Sequence, residues 1–237
     1  MRTSELARLG QILTNPDLGV KLIHLKGLIF DCDGVLLDSR NANISYYNFM
    51  RESLSLPKLT PEEEEYVHMA TYEQAMNFIV PEERREEIPA LINLAERELD
   101  YFSLLSREKG LLDLLKLLKK NNIQLALCTN RFEPMDNLLT SFSLDGFFSP
   151  RQTASNSRPK PDPDGLNQVL RKWVVAPHEV AFLGDSRADA QAAKSAGIPF
   201  WSFKNPDLEA DLYIPGFTAL RQWMEPYLDF KKISQYG

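Results

Sequence analysis

Acidic side chains recur in this sequence at the points where short apolar runs end. Asp31 and Asp33 follow the first such run, and Asp185 and Asp189 follow a later one. Gathered in one crevice, these carboxylates would repel each other unless a divalent cation neutralised them, and Mg²⁺ prefers oxygen ligands of this kind. A Mg²⁺ ion held by few carboxylates keeps positions open for water and for a phosphate oxygen, so the pattern favours phosphate chemistry.

Candidate phosphate-binding groups lie at two further places in the chain. Thr129 and Asn130 end the apolar run 123–128, where a hydroxyl and backbone N–H groups could donate to phosphate. Lys160 lies in a segment with three prolines, residues 158–163, which are expected to stiffen the loop and aim one ammonium inward. Positive charge directed at a transferring phosphoryl group is what such a reaction requires.

Each of these residues also has a plainer explanation when taken alone. An Asp pair at a strand end often serves turns and helix N-caps, and Asp185 and Asp189 could do the same. Thr129 could be an ordinary strand-end residue, and Lys160 a solvated loop lysine. Their order along one predicted sheet edge is the observation that favours a shared function over these separate roles.

The elements that would bring these residues together follow from hydrophobic patterning. Four apolar runs lack alternation, as buried parallel strands do: residues 28–30, 123–128, 180–183 and 200–203. Helical patterns lie between them at residues 110–121, 164–173 and 187–196. The alternation predicts a parallel sheet with helices on both faces, and ligands of such sheets bind beyond the carboxyl ends of the strands.

One long segment interrupts that alternation. Residues 40–107 contain no convincing strand and read as three or four helices, at 43–53, 61–78 and 88–105. We therefore expect a helical domain at 40–107, inserted after the first strand of an α/β core formed by residues 26–39 and 108–237. Residues 1–25 are predicted to form a helical extension without an assigned role.

The overall composition limits the partners. The 237 residues carry 27 basic and 33 acidic side chains, a net charge of -6, which argues against a general nucleic-acid binder. No apolar stretch reaches the ~18 residues of a membrane span, so no membrane partner is expected. Cys32 and Cys128 lie far apart in apolar runs, which predicts two reduced core thiols in a cytoplasmic protein. The oligomeric state stays open.

Four segments, in order along the chain, resemble the signatures of the haloacid dehalogenase-like hydrolase superfamily. They are Phe30 to Leu36 (FDCDGVL), Leu127 to Asn130 (LCTN), Arg158 to Pro161 (RPKP) and Gly184 to Asp189 (GDSRAD). The position of the insert resembles the cap of the phosphoglycolate phosphatase and β-phosphoglucomutase branch. The resemblance implies a Rossmann-like α/β fold with a helical cap domain, and a Mg²⁺-dependent phosphatase acting on a small phosphorylated metabolite.

The resemblance also implies a role for each matching residue. Asp31 would be the nucleophile that forms an aspartyl-phosphate, and Asp33 the general acid and base. Thr129, Asn130 and Lys160 would bind the phosphoryl group. Asp31, Asp185 and the backbone carbonyl of Asp33 would coordinate Mg²⁺, with Asp189 supporting the metal site. The cap would close over the substrate and contact its leaving group.

Alternatives to a phosphatase are open at this stage. A phosphomutase would pass the phosphoryl group to a second substrate, but the stretch 69–73 lacks the Gly and nearby Arg associated with the mutase. A dehalogenase would lack Asp33, and a phosphonate hydrolase would need a cap lysine, for which Lys58 is the only candidate. A non-catalytic phosphate-binding module is the alternative of a different class. Candidate leaving-group contacts are Tyr46, Tyr47, Arg51, Thr71 and Tyr72.

Overall fold

The chain forms two units in the structure, a computed structural model that describes residues 13–14, 24–70, 72–132 and 135–233. The side chains of residues 13–14, 68–69 and 229–233 lie outside this description. The larger unit consists of the described residues up to Leu37 and from Arg107 onward, and the smaller unit is Asp38–Ser106.

A parallel sheet forms the framework of the larger unit. The described strands are β1 (Leu13–Thr14), β2 (Gly27–Phe30), β3 (Leu37–Asp38), β4 (Ser106–Arg107), β5 (Gln124–Cys128), β6 (Arg151–Gln152), β7 (Val180–Gly184), β8 (Phe200–Phe203) and β9 (Leu212–Ile214). Seven of them form one sheet in the order β1-β9-β8-β7-β2-β5-β6, and β3 pairs with β4 in a separate two-stranded sheet. Six strands of the large sheet are parallel, and β1 is antiparallel to its neighbour β9.

The helices alternate with these strands in the larger unit and make up most of the smaller one. The described α-helices are α1 (Arg40–Ser53), α2 (Pro61–Met69), α3 (Tyr72–Ile79), α4 (Ile88–Glu98), α5 (Leu111–Lys120), α6 (Met135–Ser141), α7 (Asp164–Trp173), α8 (Arg187–Ala196) and α9 (Phe217–Ile233). Short 3₁₀ helices span Glu82–Glu87, Tyr101–Leu104 and Pro177–Glu179. The α/β fold with helices on the sheet is therefore confirmed.

Burial on both faces explains why the core strands show no alternation in sequence. All four residues of β2 are buried. Ile29 belongs to the cluster that includes Leu166 of α7 and Ala192 of α8. Its neighbour Phe30 packs instead against the rings of Phe148 and Phe217, with ring centroids 5.7 and 6.3 Å away. A central strand covered on both sides needs apolar side chains at every position, which gives the continuous runs seen in the sequence.

The smaller unit has its own apolar core, built by helices. Buried residues of α1, α3 and α4, among them Met50, Ile79 and Leu91, form one cluster. The predicted helix 61–78 is two helices, because Ala70 adopts an extended conformation (ψ 157°) that ends α2. Thr60 and Glu63 form a reciprocal capping box that fixes the start of α2.

The predicted N-terminal extension is corrected at the one place where the structure describes it. Leu13 and Thr14 form strand β1, paired with Tyr213 and Leu212 of β9, so this part is not helical. Without β1, β9 would be the edge of the sheet, with unpaired backbone N–H and C=O groups that favour pairing with a further strand. The rest of residues 1–23 lies outside the described residues.

Two smaller expectations concern the thiols and membrane spans. Cys32 and Cys128 are buried and unpaired, as predicted for core cysteines. Burial raises the pKa of the Cys128 thiol to about 12, so it stays protonated at neutral pH. Over the part of the chain that the structure describes, no helix has the length and apolar character needed to cross a bilayer.

Candidate active site

The register of the central strands brings three of the predicted residues to one edge of the sheet. Phe30 is level with Leu127 of β5 and with Leu183 of β7. Asp31, Thr129 and Asp185 each follow within two residues of those positions. The backbone N–H of Asp31 donates to the carbonyl of Leu183 at 2.9 Å, which extends the ladder to the nucleophile candidate. The carboxyl ends of three parallel strands thus meet where the sequence predicted a site.

Lys160 joins two of the carboxylates at this edge. Its Nζ lies 2.7 Å from Asp31 Oδ1 and 2.5 Å from Asp189 Oδ1. Oxygens of Asp31, Asp185 and Asp189 all lie within 4.8 Å of one another. The ammonium and the three carboxylates therefore form one cluster, built from segments that are up to 158 residues apart in the chain, from Asp31 to Asp189.

When its three carboxylates are ionised, this cluster carries a net negative charge. Three carboxylates face one ammonium, and the side chain of Lys160 is only 5% exposed. Burial is the main cause that raises the pKa of Asp31 from its ordinary 3.8 to about 7, although Lys160 opposes the rise. Burial, with Asp189 and Asp31 nearby, also raises the pKa of Asp185 well above its usual range. Oxygen donors with an excess of negative charge suit a hard divalent cation such as Mg²⁺.

Two glycines allow the carboxylates to approach so closely. Gly34 has a φ of +71°, and a Cβ at this position would overlap the Asp185 carboxylate. A Cβ on Gly184 would likewise overlap the side chain of Asp189. The absence of a side chain at Gly34 therefore leaves the space that Asp185 occupies, and its absence at Gly184 leaves the space that Asp189 occupies.

Asn130 holds the loop that carries Lys160. Its Oδ1 accepts from the backbone N–H of Lys160 at 2.7 Å, and its Nδ2 donates to the backbone carbonyl of Lys160 at 2.9 Å. The carboxamide is thus engaged in positioning Lys160. The sequence assigned Asn130 to phosphate binding, and this assignment stays a prediction.

Asp33 lies apart from the three clustered carboxylates and has a different cationic partner, Arg131. Arg131 donates from Nε to Asp33 Oδ2 and from Nη2 to Asp33 Oδ1, both at 2.7 Å. Sequence analysis missed Arg131, although it directly follows Thr129 and Asn130 at the same strand end. A basic residue at that position, beside the predicted phosphate-binding residues, was the available signal.

The comparison with known sequences identifies the family. A sequence model of haloacid dehalogenase-like hydrolases matches residues 28–203, which include all four segments described above. The chain belongs to the haloacid dehalogenase-like hydrolase family. The predicted family is thereby confirmed, and the chain is a hydrolase by membership.

Individual relatives of this haloacid dehalogenase-like hydrolase are similar over most of their length. The phosphoglycolate phosphatase of Shigella boydii serotype 4 is 29% identical over 211 residues, covering 76% of this chain and 81% of that protein. A crystal structure of a subfamily IA hydrolase from Geobacter sulfurreducens is 32% identical, with a TM-score of 0.69 over 85% of this chain and 97% of the other. A family hydrolase from Deinococcus radiodurans, 16% identical, shares the fold with a TM-score of 0.67 over 87% and 98%.

The smaller unit of this haloacid dehalogenase-like hydrolase contains the residues predicted to contact a leaving group. Tyr47 is buried in the core of that unit, and Arg51 donates to the carbonyl of Pro57 at 2.6 Å. Tyr72 is 52% exposed and Tyr46 is partly buried. Thr71 lies outside the described residues. Tyr47 and Arg51 thus have structural roles, and Tyr46 and Tyr72 stay candidates.

A cavity in the larger unit and a lysine in the smaller unit were also considered as parts of the site. A cavity of about 910 Å³ in the larger unit is lined by residues of α6, β6 and α7 and includes none of the predicted site residues. Lys58, considered above for phosphonate chemistry, is exposed and paired with Glu52 at 3.1 Å. The meeting of charged groups at the sheet edge, rather than cavity size, identifies the active-site candidate.

Proposed function

We propose that this chain is a Mg²⁺-dependent phosphatase that hydrolyses a small phosphate monoester through an aspartyl-phosphate on Asp31. The observation that carries the proposal is the contact of Lys160 with both Asp31 and Asp189, beside Asp185, at the carboxyl edge of the sheet. A carboxylate held by an ammonium in a buried, polar site is a suitable nucleophile toward phosphorus. The smaller unit, Asp38–Ser106, is proposed to be the substrate-selecting cap.

Mg²⁺ would be held by Asp31, Asp185 and the backbone carbonyl of Asp33, with Asp189 in support. The oxygen chemistry of these groups and the negative excess of the cluster fit such an ion. When bound, it supplies positive charge that offsets the charge of the phosphate oxygens. Lys160 adds a second positive charge, and Asn130 keeps its backbone in place.

The protein's own residues carry the two chemical steps. An oxygen of Asp31 attacks phosphorus while the bond from phosphorus to the ester oxygen breaks, and Asp33 gives its proton to that leaving oxygen. Water then attacks the aspartyl-phosphate as Asp33 accepts a proton from it, which regenerates Asp31 and releases phosphate. The Thr129 hydroxyl accepts from the N–H of Arg131 at 3.2 Å, which leaves its own hydrogen to donate to a phosphate oxygen.

Acid quenching of the reaction with a ³²P-labelled monoester tests the nucleophile. We expect label on the wild-type protein, and neither label nor turnover for Asp31→Asn, with an unchanged circular dichroism spectrum. Asp145→Asn, which changes an exposed aspartate in the same unit, should behave like the wild type. Turnover by Asp31→Asn above a few per cent of the wild-type kcat would rule out the nucleophile assignment.

The same measurements separate the alternatives. A phosphomutase would need a bisphosphate activator and would move the phosphoryl group to a second substrate hydroxyl without releasing inorganic phosphate. A non-catalytic module would turn over none of a broad panel of phosphate esters with Mg²⁺. We also propose that the protein is cytoplasmic. Its two cysteines, Cys32 and Cys128, are buried and unpaired, which supports this location.

A further inference from the structure

Arg131 and Asp33 form a two-bond ion pair that the sequence-based roles leave unexplained. Both carboxylate oxygens of Asp33 accept from the guanidinium at 2.7 Å, in the planar geometry that arginine and carboxylates prefer. The side chain of Arg131 is only 9% exposed, whereas that of Asp33 is 35% exposed. A buried guanidinium is thus directed at a carboxylate that solvent can still reach.

The backbone of Arg131 is fixed beside the proposed phosphate ligand. Its N–H donates to the hydroxyl of Thr129 at 3.2 Å, and its carbonyl accepts from the N–H of Ala154 at 2.9 Å. The guanidinium is therefore delivered by the same strand end that would bind the phosphoryl group. Any group on the substrate that lies close to the phosphate comes within reach of this loop.

The two cations paired with the described carboxylates of the site differ in what they can offer a substrate. Lys160 is held by Asp31 and Asp189, both of which belong to the buried cluster. Arg131 holds Asp33, the residue that must turn one oxygen toward the leaving group. While both oxygens of Asp33 accept from Arg131, the carboxylate is ionised and holds no proton, so the pair has to loosen before Asp33 can take up a proton and deliver it.

We propose that Arg131 selects substrates whose leaving group carries a carboxylate, and that the carboxylate replaces Asp33 on the guanidinium. This inference rests on the proposed phosphatase function and narrows its substrate class to phosphate esters of short hydroxy acids. The incoming group has the same chemistry as the group it displaces, so two N–H···O bonds break and two equivalent ones form. Asp33 is thereby released to take up a proton from solvent, to which its side chain is 35% exposed, and to donate that proton to the ester oxygen.

Because the substrate carboxylate replaces Asp33 on Arg131, it affects both substrate binding and proton transfer by Asp33. An ester without the carboxylate can still place its phosphate near Lys160 and Thr129, but it leaves Asp33 bound to Arg131. Such an ester loses both the bond to the guanidinium and the release of the acid. If Arg131 merely attracted anions, such an ester would lose only the bond to the guanidinium, which raises KM. Loss of the released acid also lowers kcat, so the two losses can be told apart by measuring KM and kcat separately.

The test compares phosphoglycolate with its neutral amide, which differ only in the carboxylate, on wild type and Arg131→Gln. We expect the wild type to favour the acid in kcat/KM, and the substitution to lower that preference roughly 10- to 100-fold, the range for a lost bond to a charged group. Turnover of the amide should rise, because Asp33 is no longer bound. Arg131→Lys keeps the charge but not the two-bond geometry, so an intermediate preference is expected.

Arg171→Gln is the matched control, because it removes an exposed positive charge from α7 in the same unit. Dissociation constants of the two esters, measured in an Asp31→Asn background with and without Arg131→Gln, give the same comparison without turnover. An equal preference in wild type and Arg131→Gln, with both esters hydrolysed, would overturn the role of Arg131 and leave the phosphatase standing. If wild type hydrolyses neither ester nor any other monoester, the proposed function fails and this inference fails with it.

Discussion

Lys160 Nζ lies 2.5 Å from Asp189 Oδ1, and the two side chains are 5% and 0% exposed. The second oxygen of Asp189 accepts from the N–H and the hydroxyl of Ser186, at 3.0 and 2.6 Å. Asp189 therefore connects the first turn of α8 to the ammonium. Burial alone would lower the pKa of Lys160, but Asp189 and Asp31 together raise it above its usual value, so the charge is retained.

Replacing Lys160 should destabilise the metal-free protein strongly. Lys160→Met removes the cation that neutralises Asp31 and Asp189, and breaking a buried pair in this way costs about 3–5 kcal/mol. Urea unfolding measures the loss, and added Mg²⁺ should restore part of it by supplying positive charge to the same cluster. Lys194→Met, an exposed lysine near the end of α8, should cost less than about 1 kcal/mol. Equal losses for the two variants would contradict the buried-pair account.

The raised pKa of Asp31 predicts how stability depends on pH without metal. Between about pH 4 and about pH 7 the folded protein holds a proton on Asp31 that the unfolded chain has released. The free energy of unfolding must therefore fall as pH rises through this window, by at most about 1.4 kcal/mol per pH unit for one proton. Above about pH 7 both states are ionised and the slope from Asp31 vanishes. Denaturant titrations in chelator at several pH values measure this slope.

Asp31→Asn and added Mg²⁺ serve as the controls for that slope. The substitution should make the fall shallower but not remove it, because the pKa of Asp185 is raised in the same direction. Saturating Mg²⁺ favours the ionised carboxylates and should weaken the fall in the wild type. A full slope retained in Asp31→Asn would show that Asp31 does not carry the proton.

The sequence predicted the position of the active-site candidate well, because local patterns determine where strands end and which residues lie at the edge of the sheet. The buried runs predicted β2, β5, β7 and β8, and the bounds of α7 and α8 agree with the predicted 164–173 and 187–196. The carboxyl ends of those strands then placed Asp31 and Asp185 at one edge. Neither step required knowledge of contacts between distant side chains.

What the sequence did not show depends on tertiary contacts or on short elements. The pair between Arg131 and Asp33 joins residues 98 positions apart, and no periodicity encodes it. The strands β6 and β9 have only two and three residues, too few for a pattern to appear. The helix α9 contains Pro226, a residue that usually argues against a helix interior.

The carboxamide of Asn130 should contribute to catalysis by positioning Lys160. Asn130→Ala removes both bonds to the Lys160 backbone, so we expect a loss of about 1–3 kcal/mol in unfolding free energy and a fall in kcat. Asn156 offers a matched control, since its side chain also makes two backbone bonds, accepting from Thr153 and donating to Arg151. Asn156→Ala should lose comparable stability and keep its kcat. A similar fall in kcat for both variants would show that stability alone accounts for the effect.

Two glycines with nearly the same backbone conformation separate steric from conformational effects at the site. Gly34 and Gly146 have φ values of +71° and +72°, so an alanine at either position carries a similar backbone penalty of about 1 kcal/mol. A Cβ on Gly34 would overlap the Asp185 carboxylate, whereas a Cβ on Gly146 meets no atom within 4 Å. We therefore expect Gly146→Ala to lose stability only, and Gly34→Ala to displace Asp185 and lose Mg²⁺ binding as well. Calorimetric Mg²⁺ titration of both variants measures the difference, and equal Mg²⁺ affinities would mean that Asp185 does not need the space that Gly34 leaves.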